Sequence, residues 1–460
     1  MKINYSFTSL ISNRNSLLLA SLLMLTSCEK YVEIDAPKHL VTANEVFVSE
    51  STLLSALSGM YSRYYSFTVS SNNTFYNSLQ ADELQYNAST PANAFFENNA
   101  IAEDNSTISS IWNNSYSLIY TANSMLEGLE NNTVLSGRSI RQARGEALFM
   151  RALIYFRLIN YWNKVPLVTT TDYTVNRSLP RAGREEVYRQ MVKDLDTANA
   201  LLTPDYPSTG KLRPNQHTVS ALLAQVQLFA GNWEEVVRLS TEVIGSPKYS
   251  IEEDLNKVFI AASKEALWQI KATGTAINTK VGQQLLGNNP KSTLTSYVRE
   301  ELLNAFEADD DRKNNWITPY SYLGEDFSLP YKYKLSIIAG STPEEYEVQF
   351  RLAELYLYRA EAYARLGQLD NAIDDLNKIR GRAGLPLLEK GILNQTETVE
   401  AVWKEARIEL MFENGHRWYN LKRTGKAVEV LSAIKTGFSE SSLWFPVPMQ
   451  QLNDNPALGN

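Results

Sequence analysis

The chain has 460 residues, of which 44% are hydrophobic and 21% are charged, so it can bury a large core and is not a disordered chain. Its 44 basic residues are outnumbered by 51 acidic ones, and this leaves no basic excess for binding a nucleic-acid backbone. One cysteine and three histidines nearly exclude a zinc site, an iron–sulfur site or a disulfide framework.

The first 27 residues have the features of an export signal. Lys2 and Arg14 precede the apolar run SLLLASLLML at 16–25, which is ten residues long. A membrane-spanning helix needs about 20 such residues. The run ends in Leu-Thr-Ser-Cys, which resembles a bacterial lipobox with Cys28 as the lipidated residue. We therefore expect a lipoprotein signal peptide at 1–27.

Cys28 is the only cysteine of the chain and lies where such a lipid is attached. Several acyl chains hold a protein on a membrane far more firmly than one chain does. The following polar segment, 28–44, is expected to be a lipidated tether, and its acidic start resembles a surface-export signal of the Bacteroidetes.

Helical periodicity begins near Glu45 and predicts further helices at 110–130 and 139–161. The last of these carries two neighbouring apolar stripes, which indicates a helix covered on both sides, as in stacked helix pairs.

Two segments have the spacing of tetratricopeptide repeats, a clear copy at 351–386 and a weaker one at 221–244. In the first, Gly367 is expected to make the turn and Asp370 to be the N-cap of the second helix. A degenerate half-copy contains Ala152 and Tyr155. Since long insertions separate the copies, we expect one large globular body over 45–460, dominated by helices.

Residues 265–271, EALWQIK, alternate in polarity and predict a strand. From about 273 to 347 helical signals thin out, apart from a short helix near 293–307, and Gly, Asn, Ser, Pro and aromatic residues dominate. Binding residues concentrate in loops carried by a rigid scaffold, so this loop-rich insertion is a candidate functional face.

The chain lacks the nucleophile-elbow, zinc-protease, phosphate-loop and dinucleotide motifs. The three histidines are far apart, with His39 in the tether, His217 in a predicted loop and His416 at a helix end. The acidic clusters at 309–311 and 344–345 are expected to cover solvated turns. We therefore predict no catalytic residues, no metal site and no cofactor.

The charged run at 405–427 contains Glu405, Glu409 and Glu413, which are spaced four apart, together with Arg407 and Arg417. Asn-Gly at 414–415 is a good helix stop. This pattern favours a lattice of ion pairs that ties two helices together over a catalytic role.

Several segments, in the right order, resemble the SusD/RagB family of Bacteroidetes outer-membrane lipoproteins. They are the lipobox and the segments at 78–83, 141–168, 179–202, 351–386, 408–423 and 445–460. One departure is Asn420, which stands where the family usually has Asp. The resemblance covers nearly all of the chain after Cys28, with an N-terminal SusD-like region at about 45–245 and a C-terminal SusD/RagB region at about 265–460.

The resemblance implies an all-α body of about four tetratricopeptide-like helix pairs, with long irregular loops and little β-structure. It implies a lipid-anchored protein on the outer membrane that faces the exterior and partners a SusC-like TonB-dependent transporter. It further implies capture of oligosaccharides, or in some members peptides, without catalysis.

Aromatic rings stack on the apolar faces of sugars, and the Asn-rich loops at 85–99 and 273–347 carry many of them. We expect both loops to build one shallow groove, with Tyr331 and Tyr333 as further aromatic residues of the insertion. The ligand-binding candidates are Trp316, Tyr320, Tyr322, Tyr86, Phe95 and Phe96. Trp316 could instead be an anchor that packs the insertion onto the body.

Three alternatives to a glycan-binding lipoprotein stay open on residues alone. The same scaffold could bind peptides, an unrecognised carboxylate pair could make it a surface glycosidase, or it could be a pure tetratricopeptide adaptor. The export signal and the aromatic insertion disfavour the adaptor, and the absence of a catalytic motif disfavours the enzyme.

Overall fold

The computed structural model describes residues 46–71, 73–87, 94–273, 278–286, 294–335 and 342–459. The chain divides into two compact units, Met1–Val46 and Phe47–Asn460, and all elements below belong to the second. The predicted signal peptide, Cys28 and tether lie outside the described residues.

Helices supply most of the regular structure. In chain order they are α1 (Glu50–Ser71), α2 (Asn73–Gln80), α3 (Ala94–Glu97), α4 (Ser106–Gly128), α5 (Gly137–Trp162), α6 (Tyr173–Asn176), α7 (Arg184–Leu201), α8 (Gln216–Ala230), α9 (Trp233–Ile244), α10 (Lys280–Leu286), α11 (Glu300–Leu303), α12 (Asp311–Trp316), α13 (Leu352–Arg365), α14 (Leu369–Arg382), α15 (Gln395–Glu409), α16 (His416–Arg423), α17 (Ala427–Ser432) and α18 (Met449–Asp454).

The strands are short and form two-stranded antiparallel sheets, β1–β5, β2–β3, β4–β8 and β6–β7. They are β1 (Leu84–Tyr86), β2 (Val165–Pro166), β3 (Arg181–Ala182), β4 (Ala266–Ile270), β5 (Ser296–Val298), β6 (Ile317–Tyr322), β7 (Glu325–Pro330) and β8 (Glu347–Arg351).

The long helices pack in a continuous series, α1 on α4, α4 on α5, α5 on α7, α7 on α8, α8 on α9, α9 on α13 and α13 on α14. Helix α15 covers α13 and α14. The predicted helix-dominated fold class is confirmed. Taken two at a time in chain order, the long helices give α1/α4, α5/α7, α8/α9 and α13/α14, which is consistent with the predicted tetratricopeptide-like pairing.

Helix α5 is the centre of this series. Every residue from Gly145 to Trp162 is buried, as the two predicted apolar stripes require. Ser136 caps the helix by accepting a hydrogen bond from the Ser139 amide.

The predicted strand at 265–271 is β4, and its five residues are all buried. It pairs with β8, so the chain leaves the helical body at β4 and returns to it at β8. This pairing closes the base of the predicted insertion, which contains more regular structure than the sequence pattern indicated.

Two local predictions are wrong. Helix α14 begins one residue before Asp370, and its N-cap is Gln368, so Asp370 lies in the first turn. There its carboxylate still complements the positive end of the helix dipole. His217 lies in the first turn of α8 and not in a loop, because Asn215 caps that helix. The predicted turn at Gly367 is confirmed by its φ of 75°.

Candidate ligand-binding face

A β-hairpin of the insertion presents aromatic side chains on one of its sides. Tyr320 and Tyr322 are two residues apart on β6, so their side chains leave the same side of the strand. On β7, Phe327 lies directly opposite Tyr320 and Glu325 opposite Tyr322. The alternation of the hairpin therefore collects three aromatic residues on one side.

The rings of Tyr320 and Tyr322 are near-parallel plates with part of their surface exposed. The ring centroids of Tyr320 and Tyr322 are 6.4 Å apart, with 21° between the planes. Tyr297 on β5 adds a fourth ring, 4.8 Å from that of Phe327. All four side chains are half-buried. We call Tyr297, Tyr320, Tyr322 and Phe327 the aromatic face.

The turn of the hairpin fixes the pairing of β6 with β7. Leu323 and Gly324 have φ of 52° and 87°, the pair of positive values that a two-residue primed turn needs. Away from the aromatic rings, on the other side of the hairpin, the Ser321 hydroxyl of β6 donates a 2.5 Å hydrogen bond to the Asp326 carboxylate of β7.

The segment that follows α2 is joined to the insertion, as the predicted groove requires. Strand β1 pairs with β5, placing Gln85 opposite Tyr297. Arg299 donates a 2.6 Å hydrogen bond to Glu97, whose other carboxylate oxygen accepts from the Tyr86 amide. Residues 88–93 and parts of 273–347 lie outside the described residues.

Trp316 is not part of the aromatic face, and the prediction that it lines a groove is wrong. Its exposed fraction is 0%. The indole nitrogen donates to the Leu255 carbonyl at 3.1 Å, and the Lys332 ammonium lies 4.2 Å from the ring centroid. Trp316 ends helix α12, which turns the ring into the core, so it is the anchor of the insertion.

The predicted aromatics of the first loop also pack inward. Phe96 is fully buried and stacks on Tyr76 with ring centroids 4.0 Å apart. Tyr86 is buried, whereas Phe95 is half-buried beside Phe96. Only Phe95 of these three predicted residues keeps substantial exposed surface.

The two further tyrosines of the insertion differ. Tyr333 is buried and its hydroxyl oxygen accepts a hydrogen bond from the Val348 amide, so it ties the insertion to β8. Tyr331 is half-buried, with the Lys334 ammonium 4.9 Å from its ring centroid.

Tyr297 and Phe327 were missed by the sequence reasoning. Both lie in short strands, where Tyr297 is flanked by buried Ser296 and Val298 while the burial of β7 increases along the strand without alternating. The pairing of β5 with β1, which places Tyr297 beside the first loop, spans more than 200 residues of chain and leaves no local signal.

The hydroxyls of Tyr297 and Tyr320 stay protonated at neutral pH. Burial, and after it the Glu97 carboxylate, raises the pKa of Tyr297. Burial and the neighbouring Tyr322 raise the pKa of Tyr320. The hydroxyl oxygen of Tyr320 is itself buried, so this side chain offers a ligand the face of its ring, which suits an apolar surface.

The predicted ion-pair lattice is confirmed and extends beyond two helices. Glu409 contacts Arg312, Arg351 and Arg382, which come from the insertion, β8 and α14. Burial alone raises the pKa of Glu409, but Arg382, Arg351 and Arg312 outweigh it and hold the pKa well below its usual value. These groups are buried and paired, so they stabilise the junction of the insertion with the body.

Two acidic residues predicted to cover solvated turns are buried. Asp310 pairs with Arg312 at 2.8 Å. Glu345 accepts hydrogen bonds from the amides of Lys334 and Leu335. Within the part of the chain that the structure describes, no group of three or more His, Cys, Asp or Glu side chains is placed to hold a metal ion.

Comparison with known proteins agrees with this architecture. Residues 30–228 match a family described as starch-binding and associating with the outer membrane, and residues 268–441 match the SusD family. The chain belongs to the SusD/RagB family. None of the helices in the described ranges is long and apolar enough to cross a membrane.

Among curated proteins, the chain is similar to SusD-like protein P25 of Formosa agariphila, with 25% identity over 94% of this chain and 95% of that one. Among solved structures, a SusD superfamily protein of Bacteroides vulgatus matches with a TM-score of 0.76 and 21% identity, covering 90% and 98% of the two chains. A laminarin-binding SusD-like protein matches with a TM-score of 0.74 and 23% identity, covering 88% and 98%.

Proposed function

We propose that the protein captures oligosaccharides at the aromatic face, without catalysis. The observation that carries this proposal is the pair of near-parallel, half-exposed rings of Tyr320 and Tyr322 on one side of a fixed hairpin. Sugar rings have flat apolar faces that stack on such plates. The similar protein named as laminarin-binding supports the same ligand class.

The buried ion pairs support a binding role over hydrolysis. The carboxylates that converge at the base of the insertion, Glu405, Glu409 and Glu413, are each engaged by arginine or lysine side chains and lie away from solvent. A glycosidase needs two carboxyl groups facing a substrate cleft.

A screen of immobilised glycans and peptides tests the ligand class. We expect the detergent-solubilised protein to bind one family of oligosaccharides and the variant Tyr322→Ala to lose most of that signal. Tyr173→Ala is the matched control, because Tyr173 is 73% exposed and lies on α6. Binding to peptides but to no glycan, or release of shortened sugars, would contradict the proposal.

We propose further that the protein is anchored through Cys28 to the outer membrane, where it faces the exterior. Its position as the sole cysteine directly after a lipobox supports this. The Cys28→Ala variant should become soluble or stay unprocessed in cell fractionation, whereas an unchanged membrane fraction would exclude the anchor.

The family relationship supports a SusC-like TonB-dependent transporter as the partner that receives the captured ligand. A stable interface with such a partner should bury about 2,000 Å² or more. Affinity purification from native outer membranes in mild detergent should recover one dominant β-barrel protein. Repeated recovery of the chain alone would count against this partner.

A further inference from the structure

A cavity with several charged side chains in its walls lies among the C-terminal helices, away from the aromatic hairpin. Helices α13, α15 and α16 surround a cavity of about 120 Å³. A single buried water needs only roughly 10–15 Å³, so the cavity has room for a small solute. Its walls include Tyr358, Glu361, Trp403, Arg407, Arg417 and Arg423.

Two of these arginines share one carboxylate. Arg417 forms two hydrogen bonds with Asp82, from Nε at 2.7 Å and from Nη2 at 2.8 Å. The Nη2 atom of Arg407 lies 2.7 Å from the same carboxylate. Asp82 is 1% exposed, so it holds two positive groups with one negative charge in a poorly solvated place.

Arg407 keeps an unused donor. Its Nη2 also donates to the Glu301 carbonyl at 3.0 Å, but its Nε atom is buried and has no hydrogen-bond partner in the described part of the chain. A buried guanidinium donor without an acceptor is costly, and an anion bound beside it would remove that cost.

The third arginine of the cavity, Arg423, donates hydrogen bonds to one charged and one neutral side chain. Arg423 binds the Glu361 carboxylate through both terminal nitrogens, at 2.8 and 2.7 Å. Its Nε and Nη2 atoms also donate to the Asn420 amide oxygen at 3.2 and 3.1 Å. Asn420 therefore occupies a position where a carboxylate would fit with the same geometry.

In the main ion-pair network of the chain, by contrast, single arginines are each surrounded by several carboxylates. There, Arg351 meets three carboxylates, those of Glu265, Glu409 and Glu413. Arg312 also meets three, those of Asp310, Glu405 and Glu409.

Around Arg407 and Arg417, by contrast, Asp82 is the one carboxylate among the described residues that forms a short ion pair. The neighbouring Glu83 has its pKa raised to about 7 by burial, so it carries only part of a charge at neutral pH. The cavity therefore adjoins a surplus of positive charge that the main network does not have.

We propose that this cavity binds a small oxyanion, a carboxylate or sulfate group, held by Arg407 and Arg417. Guanidinium groups recognise such groups through planar pairs of charge-assisted hydrogen bonds. The proposal is independent of the function proposed for the aromatic face, because the two sites share no residue. The anion could be a free ion or an acidic substituent of a sugar, and both present the same oxygens.

Titration calorimetry with the full-length protein tests the site. The probes are sodium sulfate and sodium glucuronate, each against sodium chloride at equal ionic strength, with glucose as the uncharged partner of glucuronate. We expect saturable binding of sulfate or glucuronate and none of glucose. Binding of sulfate alone would identify a free ion as the ligand, and binding of glucuronate as well would identify an acidic sugar. Absence of saturable binding for both anions would overturn the proposal.

The variant Asn420→Asp sharpens the test, since it places a negative charge in the cavity without changing the side chain's size. It should weaken anion binding at least tenfold while leaving the fold intact, as checked by a melting curve. Asn371→Asp makes the same charge change at an exposed position of α14 and should leave binding unchanged. Equal weakening by both variants, or no effect of Asn420→Asp, would show that the anion binds elsewhere and would refute the site.

Discussion

The guanidinium of Arg351 and the carboxylate of Glu413 form two hydrogen bonds, Nε to Oε2 at 2.7 Å and Nη2 to Oε1 at 2.8 Å. Arg351 ends β8 and Glu413 follows α15, so this bidentate pair joins the point where the insertion re-enters the body to the C-terminal helices. Both residues are almost fully buried.

Replacing Glu413 by Gln should strongly destabilise the protein. The change leaves the buried charges of Arg351 and Lys332 without one of their partners, and breaking a buried ion pair from one side typically costs about 3–5 kcal/mol. Urea unfolding should show a lower midpoint. Glu389→Gln, in an exposed loop, is the control and should leave the midpoint unchanged. Equal midpoints for the two variants would show that the pair adds nothing to stability.

The stability of the protein should depend on pH through Glu347. Burial raises the pKa of this residue from 4.5 to about 7, although Arg157 and a hydrogen bond from Gln349 oppose the rise. The folded state thus keeps a proton that the unfolded chain releases. This contribution to stability is complete below about pH 4.5 and is lost as the pH rises through about 7.

Glu347→Gln should remove that part of the pH dependence. Between pH 4.5 and 8, the unfolding free energy of the parent should fall relative to that of the variant by up to about 3 kcal/mol, since each unit of pKa shift is worth about 1.4 kcal/mol. Chemical unfolding at several pH values measures this difference. Parallel pH profiles for parent and variant would show that Glu347 ionises normally.

Gly415 should not tolerate a side chain. Its φ is 79°, and a Cβ atom there would lie 2.4 Å from the Nδ2 atom of Asn77. Gly415→Ala should cost at least about 2 kcal/mol of stability, from backbone strain and overpacking. Gly183→Ala is the matched control, since nothing lies within 4 Å and the N-cap φ is −75°. A Gly415→Ala protein with the same melting temperature as Gly183→Ala would contradict this interpretation of the turn.

Trp316→Ala should lower the stability of the protein. The ring is fully buried and carries the Lys332 cation on its face, and removing a buried tryptophan typically costs about 3–5 kcal/mol. A melting curve should shift downward by many degrees, whereas Trp316→Phe should retain much of the stability. A folded Trp316→Ala protein with an unchanged melting curve would show that the ring is not an anchor.

The helical body could be predicted from sequence because its signals are local. The repeat spacing around Gly367 and the apolar stripes of 139–161 specify helices and their buried sides within a few turns. The ion-pair role of Glu405, Glu409 and Glu413 could also be predicted, since they recur every four residues at the end of α15 and just beyond it. Their partners Arg312 and Lys332 could not be, because these come from a segment about 80 to 100 residues away in the chain.

The candidate site was less predictable because composition does not reveal which way a ring points. Asn314, Asn315 and Pro319 around Trp316 suggested an exposed turn, yet α12 begins at Asp311 and directs the indole inward. Tyr320 and Tyr322 remain on a surface because β6 alternates between its two sides. Whether a ring in this segment is buried or exposed depends on where α12 ends and β6 begins. That boundary lies directly after Trp316.

The most direct test of the account is a calorimetric titration of the double variant Tyr320→Ala/Tyr322→Ala with the oligosaccharide found in the glycan screen. Two exposed tyrosines on other elements, Tyr120 on α4 and Tyr173 on α6, supply the control Tyr120→Ala/Tyr173→Ala. Stacking on an aromatic ring is worth about 1–3 kcal/mol, judging from stacking on bases, so we predict at least a tenfold loss of affinity in the first variant and none in the control. Unchanged affinity in a well-folded Tyr320→Ala/Tyr322→Ala protein would contradict capture at the aromatic face.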